Sequence, residues 1–243
     1  MERYLYTSMS GALHTLTAQR IHANNLANSS TTGFRRDFER AESYQVKGAG
    51  LETKYLSQSQ SAVTDFTPGR LETTGRELDV GIRGAGFLAV IDEAGNEAYT
   101  RVGNLSLDAE GQLRIRGREV VGAGGGQLAI PEYQAISIGD NGTISVTPPG
   151  GGQLEAGQLK LVNPPLDQLR KGEDGLFRLA DGEAAAADPA VLVVSGHLEQ
   201  SNVNPVDEMV TTMALSRTFE IQMRMMKAAD ENSNAGNRLV RGG

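Results

Sequence analysis

The sequence predicts an α+β fold in which N-terminal and C-terminal helices pair as a coiled coil and a mostly antiparallel β domain lies between them in the chain. Apolar residues recur every three or four positions near both ends of the 243-residue chain. The middle instead contains short apolar runs separated by Gly, Asp and Asn. The predicted segments are a helix at 1–34, an extended connector at 35–76, the β domain at 77–198 and a helix at 199–243.

The N-terminal helix is predicted by its composition and by a regular apolar spacing. Residues 3–32 contain no Pro, and Gly11 is their only Gly. The apolar residues form a heptad stripe with a polar defect at Gln19; its members are Leu5, Met9, Ala12, Leu16, Ala23 and Leu26. We expect the helix to end at residues 31–33, where two threonines precede a glycine.

The middle of the chain favours β structure and carries the excess negative charge. The sequence at 35–76 is polar and sustains neither a helical nor a strand period, which favours an extended connector. Beyond it, strand-like runs alternate with turns, and Asn141-Gly142 is a typical hairpin sequence because both residues tolerate positive φ. Residues 77–200 hold nine basic and eighteen acidic groups, whereas the whole chain has a net charge of −7. A nucleic-acid partner is therefore not expected.

The C-terminal helix has a well-marked start. Asn204 is a predicted N-cap, Pro205 fits the first helical position, and Asp207 and Glu208 follow near the positive end of the helix dipole. The apolar stripe then comprises Val206, Met209, Val210, Met213, Leu215, Phe219, Met223 and Met226. We expect the two terminal helices to pair, and any apolar width beyond a two-helix seam to pack on another subunit.

The residue types predict no catalytic, cofactor or metal site, and hence no enzyme. The chain has no Cys, which excludes thiolate chemistry and disulfides. His14 and His22 would lie about 12 Å apart along a helix, too far to share a metal ion. Residues 84–89 fit a loose G-x-G-x-x-A dinucleotide pattern, but a strand-like run follows them instead of the helix that a pyrophosphate requires.

Four parts of the chain resemble bacterial flagellar rod and hook proteins. Residues 23–28 (Ala-Asn-Asn-Leu-Ala-Asn) and 31–34 (Thr-Thr-Gly-Phe) resemble the N-terminal signature of that family. Residues 77–87 and 99–111 are similar to the start of its β domain, and residues 198–210 are similar to its C-terminal ending. The Met-rich run at 217–227 looks like the proximal-rod members and differs from the distal-rod relatives.

The resemblance implies a structural subunit of the proximal flagellar rod that polymerises through its terminal helices and transmits torque. Its implied partners are other rod subunits, further copies of itself and the flagellar type III export apparatus. The implied location is the periplasmic rod of the basal body, reached without a cleavable signal peptide. No small-molecule substrate and no transmembrane segment are expected. The helix stripes and the signature together predict an assembly interface consisting of Leu5, Met9, Leu16, Ala23, Asn24, Asn25, Leu26, Asn28, Gly33, Phe34, Val206, Met209, Met213, Phe219, Met223 and Met226.

Alternatives of two kinds stay open at this point. The nearest is a distal-rod or hook paralogue. A different class is a non-flagellar module whose β domain grips the cell wall, but such a module needs an aromatic groove and the β region has few aromatic residues (Phe87, Tyr99, Tyr133 and Phe177). An enzyme acting on cell-wall polymer would need an acid–base pair, and the sequence defines none.

Overall fold

The computed structural model describes residues 2–39, 41–45, 55–59 and 63–241, and the side chains of residues 8–39, 63–232, 234 and 235. Helix α1 is Glu2–Ala27 and helix α2 is Pro205–Arg241, and the described residues between them form nineteen strands. This element order confirms the α+β class. The chain forms two compact units, a helical unit of Met1–Ser29, Arg36–Asp65 and Val203–Gly243, and a β unit of Ser30–Arg35 and Phe66–Asn202.

The helical unit contains both helices and, in its described residues, four short strands. The strands are β1 (Asp37–Phe38), β2 (Ala41–Gln45), β3 (Tyr55–Ser59) and β4 (Val63–Thr64). They form two antiparallel pairs, β1 with β4 and β2 with β3. The predicted connector at 35–76 thus contributes to both units; its residues 40, 46–54 and 60–62 lie outside the described part of the chain.

The start of α2 confirms the predicted cap. The Val206 amide donates a hydrogen bond to Asn204 Oδ1 at 3.1 Å, and the Glu208 amide donates to the Asn204 carbonyl at 3.1 Å. Pro205 occupies the first helical position. An amide hydrogen at that position would have no acceptor within the helix, so its absence in proline costs no hydrogen bond. The acidic residues Asp207 and Glu208 lie in the first turn, as expected for the positive end of the helix dipole.

Helix α1 ends at Ala27, four residues before the predicted stop at 31–33. Asn28 causes this difference, because its backbone amide is shared between the carbonyls of Asn24 and Asn25, at 3.1 Å each. Its side-chain amide also donates to the Asn24 carbonyl at 2.9 Å. Asparagine side chains compete with the helix ladder in this way, so the chain leaves the helix before it reaches the glycine.

The β unit is built from antiparallel pairs, which confirms the predicted strand arrangement. Its largest sheet has five strands in the order β15-β7-β8-β17-β16, and a three-stranded sheet has the order β12-β13-β14. The strands are β5 (Leu71–Thr73), β6 (Val80–Arg83), β7 (Phe87–Ile91), β8 (Glu97–Thr100), β9 (Leu105–Leu107), β10 (Leu113–Ile115), β11 (Arg118–Glu119), β12 (Ala135–Ile138), β13 (Thr143–Thr147), β14 (Leu154–Gln158), β15 (Leu161–Val162), β16 (Leu169–Lys171), β17 (Phe177–Leu179), β18 (Leu192–Ser195) and β19 (His197–Glu199).

Strand β7 is buried on both faces, which explains its uninterrupted apolar sequence. Leu88 and Val90 belong to the larger core cluster of the unit. Phe87 and Ala89 point to the opposite face and join a second cluster with Phe177. The Phe87 and Phe177 rings lie 5.4 Å apart between centroids. A strand covered on both faces has no solvent side on which a polar residue is favoured.

Two glycine-containing connections behave as the sequence predicts. Asn141-Gly142 joins β12 to β13 in an antiparallel hairpin, with Gly142 at φ 80°. The segment 84–86 joins β6 directly to β7, so no helix follows the loose dinucleotide pattern. This strand connection excludes the helix N-terminus on which that pattern depends. In the described residues, no helix is both long enough and apolar enough to span a membrane.

Candidate assembly interface

Helices α1 and α2 pack antiparallel within the helical unit. Asn25 Nδ2 donates to Glu208 Oε1 at 3.3 Å, near the end of α1 and the start of α2. Further along, Gln19 Nε2 donates to Ser216 Oγ at 3.1 Å. Toward the N-terminus of α1, Thr15 Oγ1 donates to Gln222 Oε1 at 3.2 Å. Polar side chains therefore bridge the two helices along their length.

The inner faces of the two helices follow alternating spacings of three and four residues. On α1 this face is made of small and polar residues, namely Gly11, Thr15, Ala18, His22 and Asn25. On α2 it comprises Glu208, Thr212, Leu215, Phe219, Gln222, Met226 and Ala229. A Cβ atom built at Gly11 would lie 3.0 Å from Gln222 Nε2, so the small residues allow a close approach of the helices.

Glu208 is the centre of a buried polar cluster on the inner face. Its Oε2 lies 2.5 Å from His22 Nδ1, and its Oε1 accepts the hydrogen bond from Asn25. Asn25 also binds the backbone of Asp37, donating from Nδ2 to its carbonyl at 2.8 Å and accepting from its amide at 2.9 Å. Glu208 and Asn25 are 6% and 1% exposed. The cluster thus holds α1, α2 and the segment after α1 together.

The outer faces of both helices carry large apolar side chains that nothing covers in the described residues. On α2 the exposed fractions are 64% for Val206, 55% for Met209 and 60% for Met213. On α1, Met9, Leu13 and Leu16 are exposed at spacings of four and three residues. These two outer stripes lie opposite the inner faces of their helices, because their heptad positions are about half a helical turn away from those of the inner faces.

The structure places the sixteen predicted interface residues in several different locations. Asn25, Phe219 and Met226 lie on the inner faces. The residues that remain exposed on the helices are Met9, Leu16, Ala23, Asn24, Val206, Met209, Met213 and Met223, whereas Leu26 is half-buried and Asn28 forms the turn after α1. Gly33 and Phe34 belong to the β unit. Leu5 lies in α1, and its side chain is outside the described range.

The seam predicted for α1 is therefore displaced by one residue from the face that packs on α2. The prediction placed Met9, Ala12 and Leu16 in one stripe, but only Ala12 of these is buried. The heptad repeat fits several neighbouring stripes of the helix equally well. A prediction based on hydrophobicity therefore chooses the stripe with the largest apolar side chains. The contact between the helices instead uses the smallest stripe, where close approach is possible.

Several residues at the contact between the helices were not singled out from the sequence as interface residues. Gln19 is a defect in the predicted stripe, yet it binds Ser216 across the helices. The spacing of His14 and His22 argued only against a shared metal ion and did not predict the contact of His22 with Glu208. The sequence does contain a usable pattern, because small or polar residues repeat at 11, 15, 18, 22 and 25 with the same heptad spacing.

Among the described residues, no cluster of three or more His, Asp and Glu side chains is arranged to hold a metal ion. The polar contacts of the inner face are side-chain pairs between helices. They bring together no nucleophile, base and oxyanion donor of the kind that hydrolytic catalysis requires. What the helical unit presents outward is apolar surface of the kind that marks protein–protein contacts.

Family models match three parts of the chain. Residues 5–35 match "Flagella basal body rod protein", residues 81–146 match "Flagellar hook protein FlgE/F/G D1 domain", and residues 194–239 match "Flagellar basal body rod FlgEFG protein C-terminal". These matches cover both helices and the start of the β unit. They agree with the positions of the motifs that resemble rod and hook proteins.

Full-length relatives give the same result. The chain is 40% identical over 249 residues to the flagellar basal-body rod protein FlgF of Salmonella typhimurium, covering 99% of both chains. It is 39% identical to FlgF of Escherichia coli with the same coverage. The flagellar basal-body rod protein FlgG of Bacillus subtilis is 32% identical, with 95% of this chain and 96% of that protein covered. The chain therefore belongs to the flagellar basal-body rod protein family, of which it is an FlgF-like member.

Proposed function

We propose that this structural rod subunit polymerises through the outer apolar stripes of α1 and α2, and that the paired helices form a coiled-coil layer of the proximal rod. The observation that carries the proposal is the division of the helix faces. The inner face of α1 is small and polar and is already occupied by α2, whose own inner face carries Leu215, Phe219 and Met226. The other large apolar side chains of the two stripes are exposed and point outward. A subunit that acts alone gains nothing from such an arrangement.

The sizes of the exposed side chains support several neighbours instead of one. Covering a large apolar side chain contributes about 1.5–3 kcal/mol, so each stripe of three or four residues supplies a substantial part of an association free energy. Methionine has an unbranched side chain that adapts to grooves of different shape. Met209 and Met213 therefore suit contacts with helices of related but non-identical rod subunits as well as with further copies of this chain.

The finer aspects of cellular role rest on the family resemblance. We include in the proposal that the subunit lies in the periplasmic part of the basal body and transmits torque there. It would reach that place through the flagellar type III export apparatus, without a cleaved signal peptide. Its role would be structural throughout, with no reaction catalysed.

The test is substitution of one stripe residue by aspartate in a strain whose own copy of the gene is deleted. Met213→Asp places a charge at the centre of the α2 stripe, and we expect the variant to be expressed but absent from purified basal bodies, with no swimming. Thr218→Asp is the matched control, because Thr218 is exposed on the same helix but off the stripe. Basal bodies that contain Met213→Asp at the control level would contradict the proposal.

A further inference from the structure

The β unit contains a buried ion cluster centred on Glu199. Its Oε1 lies 2.6 Å from Arg35 Nη1, and its Oε2 accepts a hydrogen bond from Arg101 Nη1 at 3.0 Å. The Gly69 amide donates to Oε1 at 2.7 Å, and the Gly33 amide donates to the Glu199 backbone carbonyl at 2.7 Å. Arg35 and Glu199 are each 1% exposed.

The residues of this cluster come from the segments through which the chain enters and leaves the β unit. The chain passes between the units after residues 29, 35, 65 and 202. Arg35 and Gly33 lie in the short segment Ser30–Arg35, Gly69 follows the third passage, and Glu199 precedes the fourth. One carboxylate thus contacts all the segments that carry the polypeptide into or out of this unit.

The Ser30–Arg35 segment has no strand of its own and depends on a few specific contacts. Lys171 Nζ donates to the Arg35 carbonyl at 2.6 Å and lies 4.0 Å from the centre of the Phe34 ring. The Asn202 amide donates to the Phe34 carbonyl at 3.4 Å. The Arg35–Glu199 ion pair ties this segment to the carboxylate shared with Gly69.

Charge makes the cluster sensitive to the loss of its single anion. Two guanidinium groups share one buried carboxylate. Burial lowers the pKa of Arg101, and the positive charge of Arg35 acts in the same direction. Removing the carboxylate would leave two buried cations facing each other, a strongly unfavourable state.

We propose that Glu199 is a positioning residue that fastens the Ser30–Arg35 segment to the rest of the β unit, so that part of the force reaching this unit along the chain passes through one ion cluster. Only the mechanical part of this inference rests on the proposed rod function. The fastening itself is a property of the single chain and can be measured without assembly.

The first experiment measures amide hydrogen exchange in the purified full chain. Arg35→Met removes the tie but leaves Glu199 paired with Arg101, so the β unit keeps a balanced charge. We expect exchange in residues 31–35 to accelerate at least about tenfold, because a charge-assisted contact is lost. Exchange in β7 and β8 should not change. Unchanged exchange in residues 31–35 would overturn the proposal.

Two further variants separate fastening from general stability. Arg101→Met removes the other arginine of the same carboxylate, and exchange in residues 31–35 should stay within about twofold of the unmodified chain. An acceleration equal to that of Arg35→Met would overturn the assigned role. Glu199→Gln should accelerate amide exchange in residues 31–35 as Arg35→Met does. If Glu199→Gln unfolds the whole β unit instead, the comparison of Arg35→Met with Arg101→Met decides whether the proposal holds.

The mechanical consequence is tested in cells. Arg35→Met should be incorporated into basal bodies at the unmodified level, while swimming speed falls as the viscosity of the medium is raised. If the variant swims at the unmodified speed at high viscosity, the mechanical role is wrong. If the variant is not incorporated into basal bodies, the mechanical role is also wrong, because the segment is then needed for assembly. Neither result touches the outer-stripe proposal, because that proposal is decided by Met213→Asp against Thr218→Asp.

Discussion

Glu208→Gln tests the buried polar cluster that joins the two helices. The substitution keeps the size of the side chain but removes the charge that His22 and Asn25 contact at 2.5 and 3.3 Å. Glutamine offers one acceptor oxygen to Asn25 and one amide donor to an unprotonated His22 Nδ1, so both contacts become bonds between neutral groups. We expect weaker packing of α1 on α2 without loss of the β unit.

The magnitude follows from the geometry of the cluster. A hydrogen bond to a charged group contributes about 1.5–3 kcal/mol, and a neutral one about 0.5–1.5 kcal/mol. The His22 side chain is 25% exposed, which favours the lower end of these ranges. We therefore expect the free energy of opening the helix pair to fall by about 2–3 kcal/mol, or about thirtyfold to over a hundredfold in the opening equilibrium.

The assay is amide exchange in residues 15–22 of the purified chain, with Asp207→Asn as the control. Asp207 also lies in the first turn of α2, but it is exposed, and among the described hydrogen bonds its carboxylate accepts one, from Asn204 Nδ2 at 2.7 Å. Its loss should remove only the helix-dipole contribution of about 0.3–1 kcal/mol. If both variants accelerate exchange equally, the cross-helix contacts do not stabilise the pair, and the reasoning is wrong.

Three further substitutions test single features of the fold. Gly33→Ala should destabilise the β unit strongly, because its Cβ would lie 2.5 Å from the Arg101–Val102 peptide. Gly75→Ala is the control, because a Cβ at this position, which has a similar φ, meets nothing within 4 Å. Equal melting temperatures of the two variants would contradict the prediction. Burial raises the pKa of Tyr99 to about 12, so the stability it contributes should be complete below about pH 10 and disappear toward pH 12. Near-ultraviolet absorbance titration against Tyr99→Phe checks that range. Asn204→Ala removes the α2 cap and should lower helix stability by about 0.5–2 kcal/mol, measured by circular dichroism.

Features set by local chemistry were predictable from the sequence. The cap at Asn204 and Pro205 follows from the side-chain and ring chemistry of these two residues. The hairpin at Asn141-Gly142 follows from the turn preference of this pair, although only Gly142 adopts a positive φ. The α+β class follows from the two hydrophobic periods, because a helix and a strand bury their faces at different spacings.

Features that depend on distant partners were not predictable in the same way. Which face of α1 meets α2 is decided by how closely the two backbones can approach, as at Gly11, and not by which stripe is most apolar. The role of Gly33 depends on Glu199, and that of Phe34 depends on Lys171 and Asn202, all far away in sequence. A single sequence contains both residues of such a contact but does not show that they are close in the fold.

The small, polar inner face of α1 and the apolar outer stripes of both helices depart from the usual plan of a helix pair, in which the largest apolar side chains fill the contact. Specific hydrogen bonds hold the two helices in register, while the surface of the pair that faces the surroundings is apolar. A purified preparation should therefore adsorb to detergent micelles, hydrophobic resins and air–water boundaries through its helices. Mild detergent during handling would then act as a temporary substitute for neighbouring subunits.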